Sequence, residues 1–327
     1  MSPLDNTMID MPDIANETQL EVAGKLDWVG MNEIEMPVRI EDDAGGLIQS
    51  SALVTAYVNL QDPDVRGIHM SRLYLHLDQG FGERPLNPAT LRQLLRSFLD
   101  SHEGLSDRAL IRVDFDYVTR RPALASDNEG WRRYPVSMIG VLEGNEFSLE
   151  MGLEILYSST CPCSAALARQ LVQEQFSKDF SAEEPLDYRK VREWLGSEQG
   201  VMATPHAQRS AAEIRVRLTP TFEMFPIVEL IDELESALKT PVQATVKRED
   251  EKAFARLNGS NLMFCEDAGR RVQTALNSDE RILDFWARCT HYESLHPHNA
   301  VAVVTKGIEG GYVAGAGAPV RLELSRT

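Results

Sequence analysis

The stretch YPVSMIGVLEGNEFSLEMGLEILYSS, residues 134–159, predicts how the chain folds around it. It holds two β-rich runs separated by Gly144-Asn145, a pair that favours the tight turn of a β-hairpin. Upstream, ALIRVDFDYVTRR alternates apolar and polar side chains from Ile111 to Val118, as a half-buried strand does. Neighbouring strands in this part of the chain are therefore expected to be antiparallel.

The first half of the chain also contains one clear helix pattern. NPATLRQLLRSFLDSH, residues 87–102, spaces its leucines as a helix requires, and Pro88 suits a first helical turn. The segments 51–60 and 67–77 are rich in β-forming residues and are predicted to be strands. The first half is thus expected to run from strands through a helix to strands.

The second half shows a similar plan. Strands are predicted from about residue 211, at 241–250, at 281–294 and at 300–306; helices are predicted at 226–239, 261–278 and, more briefly, 187–195. The simplest account is two α+β units. The predicted organisation is an acidic, disordered N-terminus over 1–27, a first unit over 28–176, a charged insertion over 177–200 and a second unit over 201–327.

Composition limits the class of protein. The 327 residues carry a net charge of −17, which disfavours non-specific binding to nucleic acid but permits a local basic pocket for a small anion. No apolar run approaches the roughly 20 residues of a membrane span, and the N-terminal residues do not resemble a secretory signal. Four cysteines are few for a disulfide-bonded protein. A cytoplasmic protein with neither nucleic-acid nor membrane partners is expected.

Cys161 and Cys163 are separated by one proline, in the motif CPCS that follows the hairpin. A disulfide across one residue would close a small, strained ring. Close thiols in a reducing compartment more often bind a metal or take part in catalysis. The alternative is that both are simply small residues packed after a strand.

Several other polar clusters lie beside predicted strand ends and helix starts. Their sequences are GIHMSR (67–72), TPHAQRS (204–210), KREDEK (247–252), FCED (264–267) and HYESLHPHN (291–299). Thiol, imidazole and carboxylate groups together are the donors that zinc and related divalent metals prefer. Each cluster taken alone also has a structural explanation, such as a helix cap, a polar turn or a solvated surface acid.

Taken in order, VGMNEIEMPV (29–38), GIHMSR, CPCS, HAQRS, KREDEK and ESLHPHNA resemble the motifs of GTP cyclohydrolase IB. The resemblance runs from about residue 28 to about residue 320. The spacing between CPCS and HAQRS is longer than is expected in shorter members of that family. The acidic segment 177–200 is therefore interpreted as an insertion that does not contact the active site.

The resemblance implies a tunnelling fold: an antiparallel sheet with two helices on one face, occurring twice in tandem. It implies a homo-oligomer, expected to be a homotetramer, with active sites at subunit interfaces. It also implies a hydrolase that converts GTP and water to 7,8-dihydroneopterin triphosphate and formate, in folate or queuosine biosynthesis. The expected cofactor is one divalent metal per site, Zn, Mn or Fe(II), without an organic cofactor.

The resemblance also implies roles for individual residues. The expected metal ligands, which exceed a tetrahedral set, are Cys161, His206, Glu251, Glu293 and His296. The expected catalytic residues are Cys161, Cys163 and His298, with His206 as a further candidate for proton transfer. The expected substrate contacts are Glu266 for guanine, and His69, Ser71, Arg72, Arg209 and Ser210 for the triphosphate.

Two other functions remain open on the sequence. One is a different metal-dependent purine-nucleotide hydrolase such as a deaminase, against which the absence of the Pro-Cys-x-x-Cys deaminase motif counts. The other is a non-catalytic metal- or pterin-binding protein, which would be expected to lack one of the thiols or the purine-binding glutamate. Release of formate from GTP distinguishes the three.

Overall fold

The computed structural model describes residues 22–42, 45–219 and 221–315, so most of the predicted disordered N-terminus, 1–27, lies outside the described residues. The strands are β1 (Leu26–Glu41), β2 (Leu47–Leu60), β3 (Arg108–Pro122), β4 (Glu129–Glu143), β5 (Glu146–Thr160), β6 (Ala207–Leu218), β7 (Ile282–His291) and β8 (Ala300–Thr305). The helices are α1 (Met70–Glu83), α2 (Pro88–Ser101), α3 (Pro162–Asp179), α4 (Tyr188–Leu195), α5 (Ile227–Leu238), α6 (Arg248–Ser260) and α7 (Cys265–Ser278).

The eight strands form a single sheet in the order β1 to β8, and the register shows antiparallel pairing of β1 with β2, β2 with β3, β6 with β7 and β7 with β8. The expected tunnelling fold with two tandem four-stranded units is therefore wrong, because the ladder continues without a break from one half of the chain to the other. Local sequence patterns predict strands but not their partners, and continuing the sheet leaves fewer strand edges unpaired.

Two compact units can be separated within the chain. Among the described residues, the first unit comprises 22–42, 45–115, 137–149 and 221–225, and the second comprises 116–136, 150–219 and 226–315. The domain boundaries predicted from the sequence stay predictions.

The first unit contains α1 and α2, which pack against each other. The predicted helix at 87–102 is confirmed as α2, and Asn87 caps it by accepting a hydrogen bond from the Thr90 amide at 2.8 Å. A Cβ on Gly80 of α1 would lie 2.4 Å from the end of the Leu94 side chain of α2, so a larger residue there would require Leu94 to move.

The predicted strand over 67–77 is wrong, since the chain turns into α1 at Met70. Leu73, Leu77 and Phe81 follow one another at intervals of four residues and are all buried. Burying a leucine or phenylalanine contributes about 1.5–3 kcal/mol, so this stripe stabilises the helix more than the partial alternation of 67–77 favours a strand.

The second unit confirms most of the predicted elements. The helices predicted at 226–239 and 261–278 are α5 and α7, and α7 packs on β7, β8 and α5. The short strand predicted at 241–250 is wrong: this segment contributes one isolated bridge, between Pro241 and Tyr157, and then enters α6 at Arg248.

The segment 177–200 is more ordered than a charged loop. Helix α3 continues to Asp179, and the predicted short helix is confirmed as α4. The rings of Phe176, Phe180 and Trp194 pack together with centroid separations of 4.8–5.8 Å, and the Trp194 indole donates to Asp179 at 2.8 Å. No helix in the described part of the chain is long and apolar enough to cross a membrane.

Candidate active site

Two of the sequence motifs meet where β5 ends and β6 begins. The backbone amide of Cys161 donates to the carbonyl of His206 at 3.3 Å, and the amide of His206 donates to the hydroxyl of Ser164 at 3.1 Å. The motifs CPCS and HAQRS are therefore joined by two hydrogen bonds. Cys161 and His206 are both half-buried at the adjoining strand ends.

The start of α7 lies beside the same strand end. The amide of Met263 donates to the carbonyl of Thr160 at 3.1 Å, and Thr160 forms a parallel bridge with Leu262. This contact fixes the segment that leads into α7. Glu266, the second residue of that helix, has an exposed side chain next to the helix N-terminus, where the helix dipole favours a negative charge.

The loop between β7 and β8 is anchored next to the start of β6. The amide of Tyr292 donates to the carbonyl of Arg209 at 3.2 Å. Glu293 follows and is half-buried, whereas the exposed rings of His296 and His298 stack with centroids 5.1 Å apart. The motif ESLHPHNA thus begins beside HAQRS.

The buried thiol of Cys265, at the start of α7, is affected by two of the candidate carboxylates. The pKa of the Cys265 thiol is raised to about 11, mainly by burial, and the carboxylates of Glu266 and Glu293 contribute in the same direction. The thiol donates to the carbonyl of Cys289 at 3.2 Å. Glu266 on α7 and Glu293 in the β7–β8 loop thus both raise the pKa of the same buried thiol.

The sequence analysis did not predict a buried hydrogen-bonded pair, His291 and Tyr157. His291 Nε2 lies 3.0 Å from the Tyr157 hydroxyl, and both side chains are almost fully buried. Burial lowers the pKa of His291 to about 4, with Glu266 opposing the shift, so the ring is neutral near pH 7. Burial also raises the pKa of Tyr157 well above its usual value.

Another chain of buried polar groups also escaped the sequence analysis. Gln208 contacts both the His206 ring and Ser159, and Ser159 contacts Ser210. The signal was present in the sequence, because these polar side chains fall at inward-facing positions of two strands whose other inward positions are apolar.

Glu251 lies in the first turn of α6 and has an exposed side chain. The neighbouring Asp250 fixes this turn: its carboxylate accepts hydrogen bonds from the amides of Ala125 and Ser126 and from the Lys247 amide, each at 2.8 Å, and from the Ser126 hydroxyl at 2.6 Å. These bonds, led by the Ser126 hydroxyl, hold the pKa of Asp250 well below its usual range.

The predicted triphosphate contacts are divided between the units. His69 and the exposed residues Ser71 and Arg72 belong to the first unit, where the Arg72 guanidinium donates to the carbonyl of Ser101 at 2.6 Å. In the second unit Arg209 is exposed, whereas Ser210 is fully buried.

The five predicted metal ligands are only partly assembled. The backbones of Cys161 and His206 are hydrogen-bonded to each other, and Glu293 follows Tyr292, whose amide is bonded to the carbonyl of Arg209. Among the described residues, no group of three or more His, Cys, Asp or Glu side chains is arranged to hold a metal ion. One chain therefore presents a pair of suitable donors and further donors nearby, without closing a complete site.

Comparison with known proteins gives consistent results. A family model described as "Type I GTP cyclohydrolase folE2" matches residues 11–302. The protein named GTP cyclohydrolase FolE2 of Hydrogenovibrio crunogenus is 52% identical over 302 residues, covering 92% of this chain and 96% of its own. Its namesake in Pseudoalteromonas translucida is 50% identical over 304 residues, covering 93% of this chain and 100% of its own.

Among solved structures, uricase from Arthrobacter globiformis is similar with a TM-score of 0.50 and 12% sequence identity, covering 91% of this chain and 99% of its own. At that identity the likeness concerns the fold alone. The family match and the relatives at about 50% identity concern the function as well. The chain therefore belongs to the type I GTP cyclohydrolase FolE2 family, whose members convert GTP and water to 7,8-dihydroneopterin triphosphate and formate.

Proposed function

We propose that this GTP cyclohydrolase is of the IB type and uses one divalent metal ion per site, Zn, Mn or Fe(II), without an organic cofactor. The observation that carries the proposal is the double hydrogen bond between the motifs CPCS and HAQRS, which sets Cys161 beside His206. A thiolate and an imidazole on adjoining strand ends are a natural pair of ligands for such a metal.

The thiol, imidazole and carboxylate groups are of the types that bind a divalent metal, and two of these residues, Cys161 and His206, are hydrogen-bonded neighbours. The remaining candidates, Glu251, Glu293 and His296, do not complete a three-donor group with them in the described part of one chain. We therefore propose that a second copy of the chain completes the site, in a homo-oligomer that we expect to be a homotetramer. Closed, symmetric homo-oligomers are the common form of soluble assemblies.

The chain's own residues account for the other needs of the reaction. A divalent metal supplies, when bound, a water of lowered pKa that can attack the ring carbon between the two imidazole nitrogens of guanine. The exposed thiol of Cys163, next to the site, is suited to move protons to the ring nitrogens, and His298 is the alternative. The Glu266 carboxylate is suited to accept hydrogen bonds from the guanine ring N–H and exocyclic amine.

The triphosphate requires cationic or hydroxyl partners. In the second unit, Arg209 is exposed and lies three residues after His206 in the motif HAQRS, which makes it a candidate. His69, Ser71 and Arg72 are retained as candidates from the first unit, and Ser210 as a buried one. We also propose a cytoplasmic enzyme that serves folate or queuosine biosynthesis and has neither nucleic-acid nor membrane partners.

Chelation and metal add-back test the proposal. Purified enzyme is stripped with a chelator and then supplied with Zn, Mn or Fe(II) separately, while formate and the fluorescent oxidised pterin are measured. The proposal expects turnover to disappear on stripping and to return with at least one metal. Full turnover by the stripped enzyme, with metal content verified as negligible, would contradict metal dependence.

A further inference from the structure

Gln208 connects the candidate ligand His206 to the interior of the sheet. Its Oε1 lies 3.0 Å from Nδ1 of His206, and its Nε2 donates to the Ser159 hydroxyl at 2.9 Å. The Ser159 and Ser210 hydroxyl oxygens are 2.8 Å apart. Gln208 is 8% exposed, and both serines are fully buried.

With the Gln208 amide in the orientation found here, this chain of hydrogen bonds sets the tautomer of the imidazole. Because the amide N–H₂ of Gln208 faces Ser159, its carbonyl oxygen faces His206, and a carbonyl can only accept. Nδ1 of His206 must then carry the ring proton and donate it. In the neutral ring the other nitrogen, Nε2, is left with a lone pair and no proton.

Within the described part of the chain, Nδ1 is the ring nitrogen of His206 for which a hydrogen bond is found. The ring itself is half-buried, at the strand end next to Cys161. A lone pair at Nε2 makes the ring a ligand, whereas a proton at Nε2 would make it a donor. The orientation of one buried amide therefore decides what His206 can do.

We propose that Gln208, held by Ser159, is a positioning residue that fixes His206 in the Nδ1–H tautomer, so that Nε2 is available to ligate a cation. The inference rests on the proposed function for the identity of His206 as a ligand. It deepens that function by assigning the hydrogen-bond partner that metal-binding histidines commonly use to set tautomer and ring orientation.

A reversed network makes the opposite prediction. If the Gln208 amide were rotated by 180°, its N–H₂ would donate to Nδ1 and its oxygen would accept from Ser159. The ring proton would then lie on Nε2, which could no longer bind a metal. The oxygen and nitrogen of an amide are assigned from their hydrogen bonds, so the tautomer of His206 is the direct test.

The first experiment measures that tautomer without metal and without turnover. Metal-free enzyme carrying ¹⁵N in its histidine rings is examined by NMR about two pH units above the ordinary histidine pKa of about 6.5. The His206 signals are identified by their loss in His206→Gln. A proton on Nδ1 supports the proposal; a proton on Nε2 in the wild-type enzyme overturns it.

The second experiment measures zinc affinity in variants. Gln208→Leu removes the acceptor and should mix the two tautomers and weaken zinc binding by about 10- to 100-fold. Gln208→Glu keeps an oxygen opposite Nδ1, while the Ser159 hydroxyl can turn to donate to the other oxygen. It should therefore keep the Nδ1–H tautomer and bind zinc within a few-fold of wild type.

Gln243→Leu is the matched control, since Gln243 is a half-buried glutamine that donates to the carbonyl of Pro241 and does not contact His206. It should leave both measurements unchanged. Wild-type tautomer and zinc affinity in folded Gln208→Leu would overturn the proposal. Failure of the metal hypothesis itself would appear separately, as full turnover by stripped wild-type enzyme whatever the tautomer of His206.

Discussion

At the scale of single residues, the two thiols of the CPCS motif have different environments. Cys161 is the last extended residue before α3, with φ −66° and ψ 124°, and is half-buried. Cys163 lies inside the helix and is exposed. Because helix α3 starts at Pro162, Cys161 has an extended backbone and Cys163 a helical one. This difference in position favours different roles for the two thiols.

We expect Cys161→Ala to lose both bound metal and turnover, and Cys163→Ala to retain metal but lose turnover. The first change removes a ligand, whereas the second removes a group suited to proton transfer, whose loss typically costs about 100- to 10,000-fold in rate. Metal content by elemental analysis and formate release are measured on the same samples. Equal loss of metal in both variants would show that the thiols share one role.

A substitution at Glu266 distinguishes a role in binding guanine from a role in stabilising the start of α7. Glu266→Gln should weaken GTP binding by about ten-fold or more, which corresponds to roughly 1.4 kcal/mol. The reason is that glutamine accepts from one guanine donor and opposes the other with its own N–H₂. Metal content should not change. GTP binding is measured by calorimetry on folded, metal-loaded protein.

The adjacent Asp267 provides the control for Glu266. Its carboxylate accepts from the Phe264 amide at 3.0 Å and so has a capping role at the same helix start. Asp267→Asn keeps an oxygen acceptor but removes the charge at the helix start, so it should cost about 0.3–1 kcal/mol of stability and leave GTP affinity unchanged. If Glu266→Gln behaved like Asp267→Asn, Glu266 would be a helix-start acid without a role in binding.

At the scale of secondary-structure elements, the first turn of α6 contains Asp250, whose carboxylate accepts four hydrogen bonds. Asp250→Asn places an N–H₂ group opposite the Lys247 amide or the backbone amides of the 123–128 loop, leaving at least one donor without an acceptor. We expect the thermal midpoint to fall by roughly 3–8 °C. Thermal unfolding followed by circular dichroism measures this.

Asp127→Asn is the comparison for Asp250→Asn. The Asp127 side chain is 90% exposed and pairs with Lys247 at 2.7 Å, and exposed ion pairs contribute little to stability. Its midpoint should move by no more than about a degree. Equal effects of the two substitutions would mean that the Asp250 hydrogen bonds do not anchor the helix start.

The segment 177–200 is expected to be dispensable for the chemistry. Its rings of Phe180 and Trp194 pack with Phe176, which precedes the segment, and it holds none of the predicted site residues. Replacing 177–200 by a short Gly/Ser linker, with Phe176→Gln to avoid an exposed ring, should leave formate release within roughly threefold of wild type. A folded, metal-loaded deletion protein without activity would assign the segment a catalytic role.

Local patterns predict elements better than they predict partners. The turn at Gly144 and the helices α2, α5 and α7 follow from residues close in sequence, and the structure confirms them. The strand prediction for 67–77 was wrong because the segment also carries apolar residues at helical, four-residue intervals, and this pattern continues to Phe81, beyond the segment. The single sheet was not predictable in this way, since pairing of distant strands leaves no local signature.

The same distinction applies to the candidate site. Clusters of polar residues at strand ends predict that CPCS and HAQRS carry chemistry, and the hydrogen bonds of Cys161 with His206 bring these motifs together. The buried partners Gln208 and Tyr157 were missed because a polar residue at an inward strand position indicates a buried hydrogen bond but does not identify its partner.

At the scale of the whole molecule, the proposed metal site is incomplete in one chain. Glu251 is exposed at the start of α6, and no three-donor group forms among the described residues. If a second copy supplies the missing ligand, two inactive variants can restore each other in a mixed oligomer. Such rescue requires that the two substitutions affect ligands from different copies.

We expect co-expressed Cys161→Ala and Glu251→Ala chains, carrying different purification tags and isolated as mixed oligomers, to recover formate release. With random assembly, about a quarter of the interface sites would receive an intact Cys161 from one chain and an intact Glu251 from the other. Cys161→Ala mixed with His206→Ala is the control. Because Cys161 and His206 are hydrogen-bonded neighbours within one chain, this mixture should stay inactive. Recovery in the control, or none in the first mixture despite verified mixing, would show that the ligands are not shared between copies in this way.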